Sequence, residues 1–278
     1  MGIEYKVSKW EECEEKVKEI EVENSNRVAE YWFRGHASSK WHLDTTLERR
    51  HAGDFSFLWY YDLVRRIKPA IETFTRSTWH MPPRDEIQKW LTEYNPYRPG
   101  EADMLAPEYL SHLRHNGFPS PLMDWTSSLY VAAYFAFAKS EAEQDVAIYV
   151  YCERPDGMKG GSSNDPQIRV LGPYIKTHRR HFLQKSRYTV CAQYKNGEYG
   201  LEWHFASHED VFDEHRPREF IMKNITNQDA LWKIIIPGTE RAKVLRHLDK
   251  YNVNAFSLFD SEESLMEMLA TQEIDARK

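Results

Sequence analysis

Along this chain the apolar residues fall at two spacings, and the places where one gives way to the other predict its elements. In "SKWEECEEKVKEIEVEN" they recur at helical intervals among charges. Ser8 stands three residues before Glu11, the spacing of a capping box, so a helix is expected within residues 1–27. Val28, Ala29, Tyr31, Trp32 and Phe33 are strand formers closed by Gly35, which predicts a strand ending at Arg34. Phe57, Leu58, Tyr61, Leu63, Val64, Ile67, Ile71 and Phe74 suit one buried helical face between Phe55 and Thr78, with Pro69 expected to kink or split the helix.

Residues 79–105, with "HMPP" and "YNPYRPG", read as a loop-rich insertion. Beyond them "PEYLSHLRHNG" is a short helix with Pro107 near its start and Gly117 as a stop, and "SSLYVAAYFAFAKSEAE" is apolar nearly all round, hence a buried helix. "FPSPLMDWT" between them reads as a turn. The strands "DVAIYVYCE", "RYTVCAQY", "GLEWHFAS" and "LWKIIIP" follow, the first trailed by the turn-rich "RPDGMKGGSSNDPQ". "TERAKVLRHLDKYNV" is an amphipathic helix leading to "AFSLFDSEESL". Helix, strand, helices and then mostly strands predict a single mixed α+β domain rather than a doubly wound α/β sheet.

Composition adds limits. With 278 residues, 41% hydrophobic and 14% aromatic, the chain can bury a sizeable core. No apolar run approaches the ~20 residues that span a bilayer, and no basic leader precedes an apolar segment at the start, so a cytoplasmic protein without a membrane partner is expected. Cys13, Cys152 and Cys191 are far apart, the pattern of reduced thiols. The net charge of -6 means that any nucleic-acid contact must come from a local basic face. Neither G-x-G-x-x-G nor G-x-x-x-x-G-K-[ST] occurs.

Three separated stretches, "YWFRGH", "HNGFPSPLMDWTSSLYVAAYFAFA" and "LWKIIIPGTERAKVLRHLDKYNVNAFSLF", together resemble the FRG domain, named for its Phe-Arg-Gly tripeptide. The central stretch is the specific part, with its His-x-Gly-x-Pro-Ser, Asp-Trp-Thr and a helix ending Tyr-Phe-Ala. The likeness runs over roughly residues 28–260 and implies an FRG domain over 28–278 behind the N-terminal helix. It departs from the family at "HFLQKSRYTV", where a glycine is expected after Gln184 and Lys185-Ser186 stands instead.

The layout also looks like that of ADP-ribosyltransferases, which split NAD and pass ADP-ribose to an acceptor. That resemblance implies a strand-rich core of their fold and NAD as substrate, with Arg34 as the clamp at the end of the first core strand. A pyrophosphate and ribose hydroxyls call for a fixed, multidentate cation, which guanidinium supplies, and Gly35 would let backbone approach the ligand. Loss of nicotinamide passes through an oxocarbenium-like state, for which a nearby carboxylate and an aromatic wall are needed. Asp124 is the nearest carboxylate; Thr126, Ser127, His115 and Tyr134 are candidate cofactor contacts, and Gln184 or Glu202 would stand for the family's late glutamate.

In "YIKTHRRHFLQKSRY" the cations Lys176, His178, Arg179, Arg180, His181, Lys185 and Arg187 interleave with Tyr174, Phe182 and Tyr188, as single-stranded nucleic acid would require. The expectation is an NAD-dependent enzyme modifying nucleic acid, RNA favoured, as a bacterial toxin or phage-defence effector with an antitoxin partner. A nuclease using His115 and Asp124, or a nucleotide-binding module without turnover, are the alternatives. Structural readings stand beside these: Arg34 paired with Asp124, Asp124 capping the next helix, and Thr126 and Ser127 in its first turn. His112/His115, His178/His181 and His204/His208 lack a zinc motif, so no metal is expected.

Overall fold

The structure is a computed structural model and describes residues 3–23, 29–51, 53–93, 104–141, 143–155, 164–171, 175–197, 200–212 and 229–274. In chain order the first elements are β1 (Ile3–Lys6), α1 (Trp10–Glu23), β2 (Glu30–His36), α2 (Thr46–Arg50), α3 (Phe57–Thr75), α4 (Arg84–Glu93) and α5 (Pro107–His115). Next come β3 (Met123–Thr126), α6 (Leu129–Phe137), β4 (Val146–Glu153), β5 (Gln167–Leu171), α7 (Arg179–Leu183), β6 (Ser186–Gly197) and β7 (Gly200–Phe205). The chain continues with α8 (His208–Val211), β8 (Asp229–Ile236), α9 (Arg241–Lys250), α10 (Ala255–Phe259) and α11 (Glu262–Glu273).

The strands form one mixed sheet in the order β1-β8-β4-β2-β3-β6-β5, with β7 paired to β6. β1 runs parallel to β8, and the other pairings are antiparallel. Alternation along the strands sorts their side chains onto two faces. Phe33 of β2, Ile148 and Val150 of β4 and Ile234 of β8 join a core with α1, α6 and α9, whereas Tyr188 and Val190 of β6 pack with α3 and α5. The opposite face carries Trp32, Trp125, Tyr149, Tyr151 and Cys191. Two helical layers thus share one face of the sheet and part above β2 and β3.

Several expectations change on this frame. The strand at Arg34 continues through His36, because all of β2 is registered with β4. β1 joins the sheet and α1 buries Trp10, Cys13, Val17 and Ile20, so the N-terminal segment is built into the fold. Ser8 bonds Glu12 rather than Glu11, and the helix starts at Trp10. Pro69 lies inside an unbroken α3, and the stretch read as a loop-rich insertion contains α4, whose Ile87 is fully buried; residues 94–103 lie outside the described residues. The presumed turn "FPSPLMDWT" ends in β3, and the helix after it starts at Leu129, capped by Ser128 through its bond from the Val131 amide. Asp124, Thr126 and Ser127 therefore precede that helix and do not cap it. Among the described residues no helix is long and apolar enough to cross a membrane.

Candidate functional site

The site begins with a missing stretch of ladder. β2 meets β3 in register at one pair, Phe33 with Thr126, and beyond it the strands diverge. Into the gap Arg34 sends its guanidinium: Nη1 donates to the Asp124 carbonyl at 2.6 Å and Nε to His36 Nε2 at 2.9 Å. A side chain here does what a backbone amide does elsewhere in the sheet.

A cavity of about 360 Å³ opens at this gap, within the range of small-molecule sites. Phe33, Gly35, Ala132 and Phe135 line it from the helical face, and Arg34 and Trp125 from the other. Arg114 and His115 reach it from the last turn of α5, Arg180 and Gln184 from α7, and Phe259 from α10. Its cations are Arg34, Arg114, Lys139 and Arg180, against one carboxylate, Asp124, so the interior favours an anion.

Asp124 is split between two duties. Its Oδ2 is held by Arg114 Nη2, a charge-assisted contact to a guanidinium ten residues earlier. Among the described residues its Oδ1 is buried without a hydrogen-bond partner, as is Arg114 Nε. Buried polar atoms are normally paired, so these two are open to a further hydrogen-bond partner. Arg34 Nη2 likewise takes no hydrogen bond among the described residues.

Burial is the largest influence on Arg34, pulling its guanidinium down to about 10 against the counter-pull of Asp124, with Arg114 and Arg49 lowering it further. It stays charged at neutral pH. His36 is driven down to about 3, first by burial and then by Arg34, so it is a neutral acceptor for the Nε proton.

Not every candidate arrives at the cavity. Thr126 lines it, but its hydroxyl donates to the Gln184 carbonyl at 2.7 Å and accepts from the Ser128 amide, which ties β3 to α7. Gln184 lines it too, its amide donating to the Leu258 carbonyl at 3.2 Å. Ser127 is exposed outside it. Tyr134 turns the other way, its hydroxyl donating to Glu267 beside a second cavity between α6, α9 and α11. Glu202 sits on β7 against His204, away from the site. Gly35 serves packing: a Cβ there would lie 1.9 Å from the Ala132 carbonyl oxygen, so its bareness admits α6 to the strand rather than a ligand to the backbone.

The basic run is dispersed. Arg180 enters the cavity, Arg179 pairs with Asp260 at 2.6 Å, Arg187 lies 5.0 Å over the Trp32 ring and Lys185 is exposed. Tyr174 lies outside the described residues. Among the described residues no group of three or more His, Cys, Asp and Glu is placed to hold a metal.

Sequence reasoning missed Arg114 and Lys139, and it took Tyr188 for a stacking ring of the basic run where the structure buries it against His115. Arg114 carried a weak signal as the neighbour of His115 in a helix's last turn, but only the chain reversal after α5 brings it to Asp124. No curated protein and no solved structure matches this chain. Over residues 29–145, the stretch that supplies Arg34, Gly35, Arg114, His115 and Asp124 to the cavity, the chain matches the family model of the FRG domain.

Proposed function

We propose that the cavity binds a nucleotide pyrophosphate and that the protein is an NAD-dependent ADP-ribosyltransferase-like enzyme. The observation that carries this reading is Arg34, with one amino group uncommitted at a break in the sheet and Arg114 and Arg180 around the same cavity. Guanidinium groups grip pyrophosphate with directed hydrogen bonds that ammonium groups do not match.

NAD, as substrate, would supply the ADP-ribosyl group. Asp124 Oδ1, buried and without a partner, would accept from a ribose hydroxyl and face the positive charge that develops as nicotinamide departs. Phe135 and Phe259, 6.0 Å apart edge to face, supply an apolar wall for a flat ring. Nucleic acid, RNA favoured, is the proposed acceptor, met at the rim where Arg180 enters and Phe182 and Lys185 are exposed. A toxin or phage-defence role with an antitoxin partner belongs to the same proposal, and arrest of bacteria on expression tests it.

One observation favours a second reading, a nucleotide-binding module without turnover: Arg114 already neutralises Asp124, and no other carboxylate among the described residues lines the cavity. Incubation with NAD labelled in its adenylate half, together with RNA, DNA and cell protein, separates the readings. Label moved to an acceptor by wild type but not by folded Arg34→Ala supports the transferase. Saturable NAD binding without transfer supports the module, and shortened nucleic acid without label would mean a nuclease.

A further inference from the structure

Behind His115 lies a buried polar chain that the reading above does not use. Tyr188 is fully buried, and its hydroxyl has three neighbours: Ser111 Oγ donates to it at 3.1 Å, His115 Nε2 lies at 2.6 Å and His181 Nδ1 at 3.0 Å. A phenol has one proton to give and two lone pairs to offer. With Ser111 on one lone pair, one histidine must donate to the other and the second histidine must accept the phenol's proton. The two rings are therefore locked into opposite roles toward Tyr188.

The lengths assign the roles, because O–H donors approach more closely than N–H donors. On that ground we read the 2.6 Å contact as Tyr188 donating into His115 Nε2 and the 3.0 Å contact as His181 Nδ1–H donating to the phenol oxygen. A neutral His115 that accepts at Nε2 carries its proton on Nδ1, which takes no hydrogen bond among the described residues.

We propose that His115 donates an Nδ1 hydrogen bond to the oxygens of an anionic ligand in the cavity, held in that tautomer by Tyr188 and, behind it, by His181. The ligand class rests on the nucleotide reading above; the tautomer rests on the hydrogen-bond inventory alone. Tyr188 and His181 are positioning residues, and with Arg34 and Arg180 the ring completes a set of N–H donors suited to phosphate oxygens. His115 stays neutral at neutral pH, since burial lowers its pKa, opposed by Asp124 of β3 and aided by Arg114 of α5, His178 at the N-cap of α7 and Arg180 within α7. Burial, His115 and Arg187 bring His181 down to about 4, so it is neutral as well.

Nitrogen NMR of protein carrying isotope-labelled histidine, with inorganic pyrophosphate as the probe, tests the assignment without needing turnover. The resting protein should show His115 protonated at Nδ1 and bare at Nε2, and pyrophosphate should shift the Nδ1 signal. Tyr188→Phe, checked for an intact melting transition, should give His115 as a mixture of tautomers and weaken pyrophosphate binding roughly tenfold, with His204 unchanged. A His115 proton on Nε2 in the wild type, or an Nδ1 signal indifferent to saturating pyrophosphate, overturns the proposal. If pyrophosphate moves Nδ1 while NAD is never consumed, His115's role stands and the transferase reading falls; NAD consumed with Nδ1 silent gives the reverse.

Discussion

β2 is held very differently on its two sides. Toward β4 it is registered residue for residue from Glu30 to His36, and toward β3 it is registered only at Phe33 with Thr126. The first side is a continuous, packed ladder. The second replaces ladder bonds with side-chain bonds from Arg34, and the space this leaves is where Asp124, Arg114, His115 and Arg180 gather. A sheet closed evenly on both sides would be sounder and would have no site.

The severest way to break this contrast is at Gly35. Val there would drive a side chain into the Ala132 carbonyl and the Ala136 amide, backbone that cannot rotate away. We expect a loss of at least ~3 kcal/mol, the upper end of overpacking costs, read as a lowered denaturant midpoint. Acid should act next, and on the open side. His36 and His181 fold with values near 3 and 4, below the usual 6.5, so the unfolded chain takes up protons first. Stability is intact above about 6.5 and falls as pH drops, levelling near 4 for the His181 contribution and near 3 for that of His36, as each folded ring protonates. The full shifts correspond to about 3 kcal/mol for His181 and about 5 kcal/mol for His36 as upper bounds, measured by urea titration across the acid range, and His181→Asn should flatten the fall.

Arg34→Lys sharpens the contrast further by keeping the charge and losing the fork. Pyrophosphate binding should weaken by about tenfold, or ~1.4 kcal/mol, by calorimetry. Tyr134→Phe marks the small end. Its hydroxyl faces the second cavity, of about 470 Å³, so NAD binding should stay within about twofold and stability within ~1 kcal/mol. A large loss of NAD binding in that variant would shift the site from the sheet gap to the helices.

Much of the frame was legible where a period was long or a composition pure. β4 and β8 are runs of apolar strand formers, and α1 and α9 bury single stripes. β1 was not legible because "IEYK", though it alternates, is only four residues long and sits mostly exposed at the sheet's edge, and β3 was not because "MDWT" is equally short. At the site, Arg34, His115, Asp124 and Gln184 came from motif order, and they do share a cavity. The family match ends at residue 145, before the last of the three stretches that carried the resemblance. The roles of Arg114 and Tyr188 could not be read because they lie in partners: a register that sets Tyr188 opposite Asp124, and a turn that folds α5 back over β3. Spacing along a sequence does not encode such pairings.

The parallel seam between β1 and β8, with Ile3 beside Trp232, carries a consequence for how the protein is made. A ribosome delivers α1 early, with Trp10, Cys13, Val17 and Ile20 bare, and the strand that completes their shelter emerges only after most of the chain has been synthesised. Until then the leading helix is a sticky, exposed surface in a crowded cell. Partial chains ending before residue 229 should therefore aggregate or be degraded, and the sheet gap that makes the site should acquire its shape only once Phe259 of α10 has emerged.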